Sequence, residues 1–210
     1  MFASIIHQFR GEELEAHELA QRQAALAAEH GLTLQSGFAT TICGWAIAKQ
    51  GQIEEGIAQV REGLAAITMT GAAIGWPWFL SMLAEACMEG GRLEEALSAL
   101  TEARAFVNEH EARYFEVEIN RLIGELLLKQ ADSNAPGAQG CFRRAIEVAR
   151  NQSAKSWELR ATMSLARLLA SQGRRDEARA MLAEIYNWFT EGFDTADLKD
   201  AKALLGELTG

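Results

Sequence analysis

The sequence predicts an all-α protein built from stacked antiparallel helix pairs, and three observations lead to this prediction. Apolar residues recur at three- and four-residue spacing through most of the 210 residues. Tight glycine-containing turns separate these stretches, and the chain has only two prolines. Small residues recur about every 40 residues, which indicates a repeat array. Because one amphipathic pair cannot bury its apolar stripe alone, we expect the pairs to stack into a solenoid.

The apolar spacing predicts an N-terminal half-pair of helices and then four complete pairs along the chain. Residues 1–10 are predicted to be a helical remnant before a helix from Glu12 to His30, which gives a half-pair over residues 1–30. The complete pairs are predicted at residues 33–69, 73–109, 112–151 and 154–190. We therefore expect a single repeat domain over residues 1–210.

Turn and cap residues support these boundaries. The pair at 73–109 is entered through Pro77, and proline suits a first helical turn because no backbone donor is needed there. The third pair has a longer, turn-rich connection, ADSNAPG, so its second helix is expected to begin near Gly137. A final helix over residues 195–208, with Asp194 or Thr195 as its N-cap, is expected to cap the array.

The repeat can be checked by counting. The middle of each first helix holds a small residue, and the spacings are 84−44 = 40, 124−84 = 40 and 166−124 = 42. These residues are Gly44, Ala84, Gly124 and Ala166. Each second helix also has an early small residue, namely Ala16, Gly56, Ala96, Ala138 and Ala178. Four residues later stand Ala20, Val60, Leu100, Phe142 and Leu182. Small residues at these positions would let paired helices approach closely.

The spacing of Ala84, Ala96, Leu100 and Ala103 resembles the tetratricopeptide repeat. This resemblance implies a right-handed α-solenoid that binds peptides or protein partners on its concave face. The fourth unit departs from the pattern because Ile185 replaces the last small residue, and the usual proline at the repeat end is absent. The period also exceeds the usual one of about 34 residues, so we expect helices about one turn longer or wider loops.

A second resemblance lies in the amino-acid sequence of longer segments. GWAIAKQGQIEEGIAQVREGLAA and YNWFTEGFDTADLKDAKALL are similar to the C-terminal repeats of large bacterial proteins that join an adenylate/guanylate cyclase or transcription-regulator domain to a signalling ATPase. The resemblance implies a regulatory or scaffolding arm in bacterial signalling, with an upstream ATPase or cyclase-type domain as its partner. It carries over no catalysis, because the chain has no phosphate-binding G-x-x-x-x-G-K-[ST] sequence.

Charge and composition narrow the classes of partner and the location. The formal net charge is −9 and the isoelectric point is about 5.0, which disfavours nucleic acid and anionic membrane surfaces. No apolar run reaches the roughly 20 residues of a membrane-spanning helix, and the N-terminus lacks a secretory pattern. We therefore expect a cytoplasmic protein. Its three cysteines, Cys43, Cys87 and Cys141, are expected to be buried thiols.

The resemblance to tetratricopeptide arrays places the first helices on the concave face and so implies a binding surface. The candidate residues are Phe38, Thr41, Trp45, Lys49, Trp78, Ser81, Glu85, Met88, Arg121, Glu125, Arg160 and Arg167, with Glu118 and Met163 beside them. Aromatic residues lie toward one end and arginines toward the other, which suits a peptide with an apolar anchor and an acidic group. In the alternative interpretation, the tryptophans belong partly to the core and the arginines pair with Glu118 and Glu125.

Other functions remain open at this stage. One alternative is a small-molecule sensor with an aromatic pocket around Trp45, Trp76 and Trp78. An open apolar N-terminal end invites a homodimer or contact with an upstream domain. The final helix could serve as a docking surface for another subunit instead of a cap.

We expect no enzyme activity, catalytic residue, cofactor or metal. The four histidines do not form a metal-ligand pattern, and no nucleophile-elbow sequence accompanies the serines. The expected mechanism is therefore binding alone.

Overall fold

A computed structural model of the chain describes residues Phe2 to Thr209; Met1, where the first predicted element starts, and Gly210 lie outside the described residues. Within this range all of the regular secondary structure is helical. The helices are α1 (Phe2–Phe9), α2 (Glu13–Glu29), α3 (Thr33–Lys49), α4 (Ile53–Met69), α5 (Trp76–Glu89), α6 (Leu93–His110), α7 (Glu116–Gln130), α8 (Ala135–Asn151), α9 (Lys155–Ser171), α10 (Arg175–Tyr186) and α11 (Ala196–Glu207). The all-α repeat fold predicted from the sequence is confirmed.

The helices form two compact units, Met1–Phe106 and Val107–Gly210, and the boundary between them falls inside α6. Most hairpins turn at a glycine with positive φ: Gly11 at 68°, Gly51 at 93°, Gly91 at 68° and Gly173 at 78°. This left-handed conformation after a helix end favours glycine, which has no Cβ to clash. The sequence therefore fixes where each of these helix pairs reverses direction.

In the first unit, α3 and α4 cross at two facing glycines. A Cβ atom on Gly44 would lie 2.5 Å from the backbone N of Val60, and one on Gly56 would lie 2.5 Å from the carbonyl O of Gly44. Ala16 and Ala96, at the positions equivalent to Gly56 in α2 and α6, are fully buried. The predicted small-residue positions are therefore helix contacts, and they set the close approach of each pair.

In the second unit, α7 and α8 also cross closely, but here a glycine of α7 faces an aromatic ring of α8. A Cβ atom on Gly124 would lie 2.4 Å from the ring of Phe142, which is itself fully buried. Helix α11 joins the same apolar core as α9 and α10 through Leu198, Ala201 and Leu204. The apolar face of α11 therefore covers the last hairpin of this unit.

Several boundaries differ from the prediction. The turn-rich connection ADSNAPG is mostly helical, because Asp132–Asn134 forms a 3-10 turn and α8 begins at Ala135, before Gly137. The amide of Asn134 supports this turn by donating to the carbonyl of Leu127 at 3.1 Å. Asparagine and proline thus initiate the helix here and do not extend the loop.

The fourth pair and the final helix also differ in detail. Helix α10 ends at Tyr186, not at residue 190, so Trp188 lies in the turn that follows. Thr195 precedes α11 as predicted, but its hydroxyl donates to the carbonyl of Gly192 at 2.7 Å and makes no cap hydrogen bond to the helix.

Two of the three cysteine thiols are buried as predicted. Burial raises the pKa of the Cys43 thiol to about 11 and also raises the pKa of Cys87, which disfavours the reactive thiolate. Cys141 is only partly buried, in contrast to the prediction. Across the described residues, no helix combines the length and apolar character needed to cross a membrane.

Candidate interaction surface

The candidate residues of the first unit lie side by side on α3 and α5, but most of them are buried. The rings of Phe38 and Phe79 lie 4.7 Å apart. The exposed fractions are 8% for Phe38, 0% for Thr41, 4% for Trp45, 6% for Trp78, 4% for Ser81 and 5% for Met88. In this arrangement these side chains pack the two helices together and offer little area to a ligand.

The two buried hydroxyl groups on these helices are satisfied locally. The hydroxyl of Thr41 donates to the carbonyl of Gly37 at 2.9 Å, and that of Ser81 donates to the carbonyl of Pro77 at 2.8 Å. A buried hydroxyl that already donates to the preceding turn has no donor left for a peptide.

A small charged patch remains partly exposed at the C-terminal end of α3. The ammonium of Lys49 lies 3.2 Å from Glu89 and 3.8 Å from Glu85. Glu85 also accepts the indole N–H of Trp45 at 2.8 Å. These contacts neutralise the lysine charge within the first unit.

Helix α1 covers Trp78, a contact that the sequence did not predict. The indole N–H of Trp78 donates to Oε1 of Gln8 at 2.9 Å, and the ring stacks on Phe9 at 5.2 Å between centroids. Within the predicted remnant, Phe2–Phe9 therefore forms a folded helix, and it supplies the first helix of the half-pair. The repeat pattern does not relate Gln8 to Trp78, because the 70 residues between them are not a whole number of 40-residue periods.

The three tryptophans of the alternative sensor pocket face different partners. Trp45 donates to Glu85 and Trp78 donates to Gln8, whereas Trp76 donates to the exposed Glu102 at 2.9 Å. Since the indole N–H groups do not converge on one cavity, the aromatic-pocket alternative is not favoured.

In the second unit, the predicted arginines lie on α7 and α9 within a charge network. Arg121 donates from Nε to Oε2 of Glu118 at 2.9 Å and lies 3.7 Å from Glu125. The hydroxyl of Ser164 on α9 donates to Glu125 at 2.6 Å. This network joins α7 to α9, as in the alternative interpretation in which the arginines pair with nearby glutamates.

Arg160 is also paired, with a residue that the sequence analysis missed. Its Nε donates to Oδ2 of Asp197 in the first turn of α11 at 2.7 Å, and its guanidinium lies 5.3 Å from the centroid of the Trp157 ring. Burial raises the pKa of the Asp197 carboxyl above its usual value, although the charge and hydrogen bond of Arg160 oppose this change. The neighbouring Met163 is buried.

Arg167 is the predicted arginine that reaches solvent. It lines a cavity of about 510 Å³ between α7 and α9. The lining residues are Glu125, Leu128, Asp132, Ala135, Ser164, Arg167, Leu168, Ser171 and Gln172. We call this cavity the α7–α9 groove. Asp132 was missed because its segment was predicted to be a loop.

The described residues contain no group of three or more histidine, cysteine, aspartate or glutamate side chains placed to hold a metal ion. The contacts of the candidate residues are helix packing, hydrogen bonds and ion pairs.

Comparison with protein families identifies repeats in this chain. Residues 77–106 and 159–184 match the family model described as Tetratricopeptide repeat. These segments correspond to α5 with most of α6, and to most of α9 with α10. Tetratricopeptide repeats generally mediate protein–protein interactions. No curated protein matches the chain.

Comparison with solved structures gives the same fold. The nearly identical TPR-like repeats of a protein assigned as a kinesin light chain from Podosopora anserina are similar at 18% identity, with a TM-score of 0.53. A glutamine-to-methionine variant of these repeats is similar at 17% identity, with a TM-score of 0.58. Each match covers 87% of this chain and 89% of the other. At this identity, the likeness shows the repeat fold.

Proposed function

We propose that this chain is a non-catalytic protein-interaction module that holds an extended segment of a partner in the α7–α9 groove. The observation that supports this most directly is the position of Arg167. It is exposed, it lines the groove, and it has no ion-pair partner among residues Phe2 to Thr209. A guanidinium in this situation is available to bind a carboxylate or a backbone carbonyl of a partner.

The groove carries charges of both signs. Glu125 and Asp132 line it together with Arg167, and Leu128 and Leu168 supply apolar area between the polar groups. A partner segment with one acidic and one basic side chain around an apolar residue would complement this lining. This specifies the partner more closely than the acidic, apolar-anchored peptide that the sequence suggested.

The candidate residues of the first unit are proposed to contribute less to partner binding. Trp45 and Trp78 are buried and hydrogen-bonded inside the unit. Lys49 and Glu85 are the partly exposed members, and they pair with each other. A partner contact there would have to exchange these internal bonds, so we place the main contact at the α7–α9 groove.

The second resemblance in the sequence is what supports our proposal for the class of partner. The block YNWFTEGFDTADLKDAKALL runs from the end of α10 into α11 and is similar to repeats attached to signalling ATPases and cyclases. We propose that the bound segment belongs to such a domain and that the interaction regulates it in the cytoplasm of a bacterium.

Selection from a displayed library of random short peptides tests the groove. A selected peptide, labelled with fluorescein, is titrated with the protein and binding is followed by fluorescence anisotropy. Arg167→Glu should weaken binding about tenfold or more, which corresponds to about 1.4 kcal/mol. Arg143→Glu is the matched control, because Arg143 is an exposed arginine on α8 that does not line the groove.

Equal affinity of the wild type and Arg167→Glu would contradict a contact in the groove. A second experiment places a photo-crosslinking residue on a signalling ATPase domain of the proposed class and compares its labelling of the groove with its labelling of control positions. If no peptide is selected and the groove is labelled no more than the control positions, the interaction itself is contradicted.

A further inference from the structure

A polar cavity of about 270 Å³ lies in the first unit, with α2 and α4 as its walls and α3 as its floor. Helix α3 packs against both α2 and α4, so it lies between the two walls. The polar lining residues come from all three helices and are His17, Gln21, Thr40, Cys43, Gln59 and Glu62. We call this site the α2–α4 cavity.

Helical spacing and one glycine position the walls of the cavity. His17 and Gln21 are four residues apart on α2, and Gln59 and Glu62 are three apart on α4, so each pair lies on one side of its helix. Gln59 lies close to α3 because Gly44 has no side chain: a Cβ atom on Gly44 would lie 2.9 Å from the Cβ of Gln59. The packing of the three helices therefore forms the cavity in the unliganded chain.

The polar groups of the cavity have no partner within the protein. None of the six polar lining side chains makes a hydrogen bond or an ion pair with another residue between Phe2 and Thr209. The side chain of Cys43 is the most enclosed, since this residue is only 6% exposed and still has no hydrogen-bond partner. In the α7–α9 groove, by contrast, Ser164 already donates to Glu125. Unpaired groups that converge from three helices are available to a ligand.

The charge of the lining helices favours a cationic ligand. Glu62 supplies a carboxylate to the cavity itself. Helices α2, α3 and α4 together contain seven glutamates, two arginines and one lysine. A polar cleft among this excess of carboxylates attracts positive charge.

The arginines and the lysine of these helices do not line the cavity. Arg61 forms an ion pair with Glu95, and Lys49 forms one with Glu89 at 3.2 Å. Arg22 comes directly after a lining residue of α2, so it lies about 100° away around the helix. The carboxylate of the cavity is therefore not neutralised from within the unit.

Size and hydrogen-bonding capacity narrow the kind of cation. A volume of 270 Å³ equals that of about nine water molecules at about 30 Å³ each, which is room for a ligand of side-chain size. The oxygen atoms of Glu62, of the two glutamine amides and of the Thr40 hydroxyl can all accept hydrogen bonds. A guanidinium has five N–H donors in one plane, whereas an ammonium has three and is more strongly hydrated. The lining therefore suits a guanidinium better.

We propose that the α2–α4 cavity binds a guanidinium group, carried either by an arginine side chain of a partner protein or by a free alkylguanidinium. The carboxylate of Glu62 accepts from the guanidinium, and Gln21, Gln59 and Thr40 accept its remaining N–H groups. Only α2, α3 and α4 line this cavity, so the proposal does not rest on the α7–α9 groove.

Titration followed by two-dimensional NMR tests the cavity. The probe is N-acetyl-arginine methylamide, in which the guanidinium is the only charge, and N-acetyl-citrulline methylamide is its neutral counterpart. The arginine probe should shift the side-chain amide signals of Gln21 and Gln59 in a saturable manner. The variants Gln21→Leu and Gln59→Leu assign these two signals by their loss. The citrulline probe should bind about tenfold more weakly or less, because it lacks the charge.

Glu62→Gln keeps the shape of the side chain and removes its charge, so it should raise the Kd of the arginine probe about fivefold. Glu55→Gln is the matched control, because Glu55 is an exposed glutamate of α4 that does not line the cavity, and it should leave the Kd nearly unchanged. Thr40→Val keeps the volume and removes one acceptor, so it should raise the Kd about twofold or more. If Glu62→Gln fails to fold by circular dichroism, Thr40→Val decides.

Butylguanidinium, which has no peptide groups, distinguishes the two sources of the guanidinium. If the arginine probe binds more tightly than butylguanidinium, the ligand is a side chain of a partner protein; otherwise it is a free small molecule. The proposal is overturned if neither compound shifts the two glutamine signals at the highest concentration used, or if the citrulline probe binds as tightly as the arginine probe. It is also overturned if Glu55→Gln weakens binding as much as Glu62→Gln.

Discussion

The indole N–H of Trp45 donates to Glu85 at 2.8 Å, and the two residues lie 40 positions apart, which is one repeat period. Lys49 and Glu89 are also 40 positions apart and form an ion pair at 3.2 Å. Equivalent positions of α3 and α5 therefore face each other across the two first helices. Residues that would be a binding surface in an open array instead hold these two helices together.

This contact gives the first prediction. Trp45→Phe removes the donor to Glu85 together with part of a buried ring, so the free energy of unfolding should fall by about 1–3 kcal/mol. Trp76→Phe is the matched control, because its indole donates to the exposed Glu102, and it should change stability by less than about 0.5 kcal/mol. Urea denaturation followed by circular dichroism measures both. Equal midpoints for the two variants would mean that the buried hydrogen bond contributes no more than the exposed one.

The second prediction concerns the small-residue register. Ala96 in α6 is fully buried at the position equivalent to Gly56 in α4. Ala96→Arg would force a long charged side chain into a helix crossing and should cost about 3 kcal/mol or more. Ser98→Arg, on the exposed side of the same helix, should be nearly neutral. An unchanged thermal melt for Ala96→Arg would show that the register is wrong.

The sequence predicted the helix pairs because their determinants are local and periodic. Ala16, Ala96, Ala138 and Ala178 stand at a repeated spacing, and all four are fully buried. The apolar period identifies a helix face and the glycine turns identify its ends, so the fold class needed no information beyond the sequence.

The candidate surface was less predictable because its decisive contacts are not periodic. The amide of Gln8 reaches Trp78 from 70 positions away, and Asp197 reaches Arg160 from 37 positions away. Neither spacing matches the period of about 40 residues that the sequence displays. The sequence therefore placed these arginines and tryptophans on first helices but could not show which of them already have a partner inside the chain.

Two glycines of the α7–α8 hairpin should respond in opposite ways to the same substitution. A Cβ atom on Gly124 would lie within 2.9 Å of three ring atoms of the buried Phe142, so Gly124→Ala should destabilise by about 1–3 kcal/mol. A Cβ atom on Gly140, within α8, would meet nothing within 4 Å, so Gly140→Ala should stabilise by about 0.5–1 kcal/mol. Thermal denaturation of both variants checks this. A stabilised Gly124→Ala variant would contradict the close crossing of α7 and α8.

The last prediction is the dependence of stability on pH. Burial alone would raise the pKa of the Glu158 carboxyl, but hydrogen bonds and charges from Arg150 and Lys155 outweigh burial and hold the pKa below its usual value. Because the folded-state pKa is lowered, this stabilisation is present above the unfolded-state pKa and is lost as pH falls through the folded-state pKa. Glu158→Gln should therefore cost about 1 kcal/mol or more near neutral pH, and this cost should shrink in acid.

Asp197 should show the opposite sign. Burial raises the pKa of its carboxyl despite the nearby Arg160, so its favourable contribution is present below the unfolded-state pKa and is lost as pH rises through the folded-state pKa. Asp197→Asn removes a charge that is poorly solvated and keeps an oxygen that can accept from Arg160. It should raise the free energy of unfolding near neutral pH, and the gain should disappear in acid. Urea denaturation at a series of pH values compares this variant with Glu158→Gln. If Asp197→Asn loses as much stability near neutral pH as Glu158→Gln does, the ion pair with Arg160 outweighs burial at Asp197.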